Sequence, residues 1–186
     1  MGKCTLHWRP FIDAALALLL IFCMPSLAPA RADEYQDAIT KAFPGFQILS
    51  RAEFDPEIQK TVKGNPGLIT GRFNDDELED FAAIIRSDVK QKSPSGKDYY
   101  HGKFVVCHAL DKQRYTCQVL GTRAISLPNE LYLYRVGPGF NCHNDDGTES
   151  DITVKRDAIG TAMVPSNAAS VDIYMPDGTY FNCAGD

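Results

Sequence analysis

From Leu68 onward the chain is punctuated. Strand-like runs rich in Val, Ile, Thr, Tyr and Phe occupy 68–73, 80–86, 103–110, 114–120, 130–136, 158–164, 170–175 and 179–183. Turn-forming clusters fall between them: KSPSGK, DKQ, LPN, GPG, NDDG, PSN and PDG. No amphipathic helical pattern of crossover length intervenes. Parallel neighbours need a crossover of a dozen residues or more, whereas antiparallel strands join through short turns. The spacing therefore predicts a mostly antiparallel sheet.

Helical signals are confined to the region before Leu68. In DEYQDAITKAF (33–43), Tyr35, Ala38, Ile39 and Ala42 recur at helical spacing, with Asp33 and Glu34 suited to a first turn and Pro44-Gly45 to a stop. FQILS is a short strand candidate. Asp55 as N-cap and Pro56 as first helical residue open a second, two-turn helix that stops by Gly64-Asn65-Pro66. The expected fold is α+β: short N-terminal helices packed on a mostly antiparallel β-sheet, stabilised by two disulfides. The longest expected loop is 137–157, polar and Gly-rich.

The N-terminus reads as a signal peptide, residues 1–32. Lys3 and Arg9 precede the apolar run Leu16–Met24, Pro25 breaks it, and Ala30-Arg31-Ala32 offers small residues for cleavage. The run falls short of the ~20 apolar residues of a membrane span, so no stable membrane anchor is expected after cleavage. Cys23 does not make a lipidation site, because Phe22 stands where a small residue belongs. Cleavage after Ala32 leaves 154 residues, one ordinary globular domain over 33–186. It removes three basic residues (Lys3, Arg9, Arg31) and one acidic one (Asp13), which takes the formal charge from −5 to −7. An acidic domain without a basic cluster argues against nucleic acid and anionic membrane as partners. The expected location is periplasmic or secreted.

Four cysteines follow the signal: Cys107, Cys117, Cys142 and Cys183. In an exported chain an even count suggests disulfides, and three connectivities are open. Local geometry selects one. If KFVVCHAL and RYTCQVL form a hairpin with Leu110 facing Arg114, Cys107 lies directly opposite Cys117. At ~4.5 Å between Cα atoms, a non-hydrogen-bonded pair reaches the short edge of disulfide range. Cys142–Cys183 follows by elimination. None of the spacings is the short C-x₂₋₄-C of a zinc site.

The densest charge lies in GRFNDDELEDFAAII, starting at Gly71. A calcium loop needs oxygen donors at alternate positions to wrap a small hard cation. Asn74, Asp76, Leu78 through its carbonyl, and Asp80 supply four. The segment resembles the calcium loop of FG-GAP or VCBS-type repeats, of general form G-D-F-N-G-D-G-x-x-D-x-A. Gly71, Phe73, Asn74, Asp76, Asp80 and Ala82 match, whereas Arg72, Asp75 and Glu77 depart. Small exported bacterial proteins carrying one such loop end in a strand–DG–strand hairpin, to which SVDIYMPDGTYFNCAGD is similar. The resemblance implies a strand–loop–strand unit, and a calcium ion in it as the sole cofactor. The arginine at the first ligand position argues for the alternative, in which Arg72 pairs with Asp76 or Asp80 where the metal would sit. At most a weak calcium site is expected.

No G-x-S-x-G, H-E-x-x-H, P-loop or Rossmann fingerprint is present, and paired cysteines leave no thiol nucleophile. No catalytic residues are assigned. His108 reads as a half-buried sheet residue, and His101 as a strand entry. His143 lies beside Asn144, Asp145 and Asp146, a cluster that suits acid–base chemistry or an ordinary turn. Tyr99 and Tyr100, with Tyr132 and Tyr134, concentrate aromatic surface; Tyr132 and Tyr134 share the face opposite Leu131 and Leu133. With His143 they form the candidate binding surface. Two function classes remain. One is a non-enzymatic exported binding protein, an inhibitor or immunity-type protector of an envelope enzyme, whose partner is another, basic, protein. The other is a small hydrolase using His143 with Asp145 or Asp146.

Overall fold

The computed structural model describes residues 28–142, 152–164, 166 and 168–185. The chain forms two compact units, Met1–Asp33 and Glu34–Asp186. Of the first, only residues 28–33 are described, as helix. The part of the expected signal peptide before Ala28 lies outside the described residues, as do His143, Asp145 and Asp146.

The second unit is mostly antiparallel β-structure with few helices. Helix α1 (Ala28–Ala42) covers the 33–43 segment but starts five residues before Asp33, so Asp33 and Glu34 do not form its first turn. It ends before Gly45, whose φ of 77° suits glycine. Helix α2 (Pro56–Thr61) has Asp55 as N-cap, its side chain accepting from Glu57 N. Among the described residues the strands are β1 (Phe46–Ile48), β2 (Leu68–Gly71), β3 (Asp80–Lys92), β4 (Asp98–Ala109), β5 (Tyr115–Ile125), β6 (Leu131–Val136), β7 (Asn141–Cys142), β8 (Ile152–Thr153), β9 (Ala158–Met163), β10 (Ala169–Tyr174) and β11 (Tyr180–Gly185).

Two sheets carry the fold. The first has the order β1-β3-β4-β5, with β2 also on β3; the second has β11-β10-β9-β6. Alternation in β3 and β4 gives the first sheet two apolar faces. Ala82, Ile84 and Val106 point one way and join Leu133 and Ile159 of the second sheet in a shared core with Phe54, Ile58 and Phe73. Phe81, Ala83, Ile85, Val105 and Cys107 point the other way and bury Tyr35 and Ile39 of α1. The far face of the second sheet holds a third cluster, in which Ala158, Val171, Ile173 and Cys183 pack on Cys142 and Val154. The small hairpin β7–β8 supplies that cover, within a stretch expected to be loop.

Both expected disulfides form. Leu110 N donates to Arg114 O, Cys107 pairs with Cys117 across β4–β5, and their Cα atoms are 4.0 Å apart. Cys142–Cys183 ties the β7–β8 hairpin to β11, with Cα atoms 6.0 Å apart.

Candidate functional site

The acidic loop joins β2 to β3, whose ladder closes at the pair Gly71–Asp80. Glycine is needed at 71: a Cβ there would sit 2.7 Å from a ring carbon of Phe73. Phe73 itself turns into the shared core. The loop then folds on its own polar groups. Asn74 Oδ1 accepts from Asp76 N at 3.0 Å, Asp76 Oδ1 accepts from Leu78 N at 2.8 Å, and Asp76 Oδ2 accepts from Asn74 Nδ2 at 2.9 Å. Successive side chains thus brace the backbone two residues on, which is ordinary Asx-turn chemistry.

Arg72 pairs with neither Asp76 nor Asp80. Its guanidinium meets Glu77 Oε2 at 2.6 Å, and its backbone N–H donates to Asp157 Oδ2 at 3.0 Å. The cation that reaches into the loop is Arg156, from the β8–β9 connection. Its Nη1 donates to Asp76 O at 2.8 Å and lies 3.3 Å from Glu77 Oε1; its Nε lies 3.6 Å from Asp75 Oδ1. Two guanidiniums therefore bracket Glu77 and offset the charge of the knot. Among the described residues no group of three or more His, Cys, Asp or Glu side chains is disposed to hold a metal ion.

Asp80 faces inward and is fully buried. Its Oδ1 accepts from Ala109 N at 2.9 Å; its Oδ2 accepts from Phe73 N at 3.0 Å and lies 3.0 Å from His108 Nδ1. A buried carboxylate is tolerated only with such a full complement of donors. His108, with its side chain 13% exposed, stacks on Tyr180 and meets Tyr174 edge-on. Its Nε2 is 3.4 Å from Tyr180 Oη, and that hydroxyl donates to Phe73 O at 2.9 Å. Burial, and then the carboxylate of Asp80, push the Tyr180 phenol well above its ordinary range. It is neutral at any physiological pH and serves as a donor. The Asp80–His108–Tyr180 row thus links β3 and β4 of one sheet to β11 of the other. It contains a base and an acid but no activated nucleophile, and its groups are spent on one another.

The tyrosines fall into two places. Tyr99 and Tyr100 lie on β4: the Tyr99 hydroxyl donates to Gln91, and the Arg86 guanidinium sits 4.5 Å above the Tyr100 ring. Tyr132 and Tyr134 lie on β6 with ring centroids 6.3 Å apart. They project from the face opposite buried Leu131 and Leu133. No ring contact joins the two pairs among the described residues, so the structure does not gather the four tyrosines at one spot. Tyr134 lies flat over Gly160, where any Cβ would come within 2.4 Å of its ring. Burial, then Tyr132, push its phenol upward. Beside it a groove of about 460 Å³ runs between Tyr132, Tyr134, Met163 and Val164.

Comparison of the chain with family models, curated proteins and solved structures finds no match.

Proposed function

We propose that this chain is a non-enzymatic binding protein of the periplasmic or secreted space, an inhibitor or immunity-type protein whose partner is a basic envelope enzyme. The observation that carries this reading is the Tyr132–Tyr134 groove on the outer face of the second sheet. Half-buried, mutually packed tyrosines offer large contact area at low entropic cost, which is why aromatic side chains anchor protein interfaces. The two disulfides fit an exported protein. No helix among the described residues is long and apolar enough to cross a membrane. The acidic balance favours a cationic partner by steering. The loop at 71–80 is, in this reading, a metal-free counterpart of the FG-GAP or VCBS-type loop it resembles: Asn74, Asp76 and Asp80 turn their oxygens to internal donors, and Arg156 provides the cation.

The test is capture from periplasmic extract followed by reconstitution from purified components. A stoichiometric complex with a basic protein is expected, weakened by salt and lost in Tyr132→Lys, which keeps an aliphatic stem but repels a cationic partner. A complex that Tyr132→Lys leaves intact would move the interface elsewhere. Turnover in a hydrolase panel, abolished by His143→Ala, would replace this reading with the enzymatic one.

A further inference from the structure

The inner face of the second sheet is apolar only in part: toward β11 it turns polar, half-buried at Thr161, Ser170 and Asp172 and exposed at Asn182. Residues opposite each other across a ladder share a face. Leu133 pairs with Thr161, Thr161 with Ser170, Ile159 with Asp172, and Asp172 with Asn182. Leu133 and Ile159 point into the shared core. Thr161, Ser170, Asp172 and Asn182 therefore point toward the first sheet as well, and there they line a cleft of about 370 Å³ between the sheets. The opposite wall is Phe104, Leu120, Gly121 and Arg123 from β4 and β5.

The local backbone carries a second irregularity. Val105 pairs with Val119 and Phe104 with Gly121, so Leu120 is the extra residue of a bulge at the mouth of the cleft.

The polar groups of this cleft are underused. Asn182 Nδ2 donates to Asp172 Oδ1 at 2.7 Å. That leaves Asp172 Oδ2 and Asn182 Oδ1 as acceptors. The Thr161 and Ser170 hydroxyls and the Arg123 guanidinium make no side-chain hydrogen bond with a described residue. Partial burial raises the Asp172 carboxyl above its ordinary range and lowers Arg123 below its own. One wall is thus a row of acceptors and hydroxyls, the facing wall an aromatic ring and a leucine beside a fan of donors. The lining carries one acid and one base and is formally uncharged, although the chain as a whole is acidic.

We infer that this cleft binds a neutral saccharide, a mono- or disaccharide, with its C–H face on Phe104 and Leu120 and its hydroxyls on Asp172, Asn182, Ser170 and Arg123. A sugar ring is the ligand class that combines an apolar face with a rim of several hydroxyls, each both donor and acceptor. The size falls at the lower end of small-molecule pockets, which run from about 300 to 1,000 Å³. The cleft borders the Tyr132–Tyr134 groove at Met163 and Ala169, but none of the residues assigned to the sugar lines that groove.

The experiment is titration calorimetry of the full-length mature protein with maltose, cellobiose, N,N′-diacetylchitobiose and galactose. Leucine and glycylglycine serve as zwitterionic comparators and sorbitol as an osmolyte control. At least one saccharide is expected to saturate with a millimolar or tighter Kd. Asp172→Asn should weaken it about tenfold, the loss of one charge-assisted hydrogen bond. Gly121→Leu is the steric test: a Cβ at 121 meets only a Phe104 ring carbon at 3.8 Å, so the side chain should fill the cleft and abolish binding while the protein melts as before. Ser170→Ala serves if either variant does not fold, and should weaken binding several-fold. Saturation by none of the four sugars, saturation by leucine or glycylglycine in their stead, or an unchanged affinity in Gly121→Leu overturns the assignment.

Discussion

Replacing Asp80 by alanine removes the acceptor of three donors at once: Phe73 N, Ala109 N and His108 Nδ1. The site is fully buried, so water cannot take over without opening the joint between the sheets. Each hydrogen bond to a charged group is worth about 1.5–3 kcal/mol, and an orphaned buried donor costs a further penalty of similar size. Relaxation recovers part of this, and breaking buried charge networks costs about 3–5 kcal/mol in practice. Asp80→Ala should therefore lose about 4 kcal/mol, or roughly 8–16 °C of Tm for a domain of this size. Asp80→Asn should lose less, because its carbonyl can still serve one backbone N–H while its NH₂ confronts the other. Tyr180→Phe should lose only about 1 kcal/mol, since it gives up the bond to Phe73 O and a long 3.4 Å contact with His108 Nε2. Urea unfolding at neutral pH, followed by circular dichroism, measures all three. A cycle of Asp80→Ala with His108→Ala should show coupling of about 1–3 kcal/mol. An Asp80→Ala loss under ~1 kcal/mol, or a Tyr180→Phe loss as large as that of Asp80→Ala, would refute the view that the buried carboxylate dominates this network.

Further outcomes are expected. Removing Cys107–Cys117 as a double alanine variant should cost about 2.7 kcal/mol and removing Cys142–Cys183 about 3.9 kcal/mol on the chain-entropy model, given separations of 10 and 41 residues; denaturant melts of the two variants give the order. Millimolar calcium should leave the Tm of the natural protein unchanged, and Arg156→Gln should lose about 1 kcal/mol, the bond to the Asp76 carbonyl being one-third exposed and partly screened; a calcium-dependent rise of several degrees in the natural protein would show the loop opening to take the metal. The Asp172 carboxyl is raised by burial, so folding disfavours its ionised form: its stability penalty is absent below the ordinary carboxylate pKa, develops as pH rises through the raised folded value, and persists above it. Asp172→Asn should flatten that part of the stability–pH profile and match or exceed the natural protein at pH 7. N-terminal sequencing of exported protein should begin at Asp33.

The sheet was legible in the sequence wherever turns bound it. The Asp111-Lys112-Gln113 turn sets the β4–β5 register, and a correct register places Cys107 against Cys117 without further information. The expected boundaries failed where a hairpin has a long polar tip. β3 runs to Lys92 and β4 starts at Asp98, and their outer halves are exposed ribbon with no apolar period to read. β7 and β8 were missed because two-residue strands carry no periodicity at all; the Cys142–Cys183 bridge and Val154 hold them in place. The site was less legible still. Asn74, Asp76 and Asp80 were recognisable as polar loop residues, but their partners lie far along the chain. His108 is 28 residues from Asp80, Tyr180 is 107 from Phe73, and Arg156 is 80 from Asp76. No local pattern announces pairs that form only when two sheets are stacked.

The same logic explains why Arg156, and not the nearer Arg72, serves the loop. Arg72 follows Gly71 at the end of β2, and its backbone N–H is already held by Asp157, which leaves its side chain 56% exposed, swung outward to Glu77. Arg156 precedes Asp157 in sequence. The hydrogen bond that anchors Asp157 to the loop therefore delivers the neighbouring guanidinium to the Asp76 carbonyl. One acid positions the base beside it, and the pair fastens the start of the second sheet's β9 to the β2–β3 turn of the first. A calcium ion would bind the loop to itself. The Arg156–Asp157 dipeptide binds it to the other sheet, a permanent tertiary contact. Because that contact joins the two sheets, it couples the loop to global folding of a small domain.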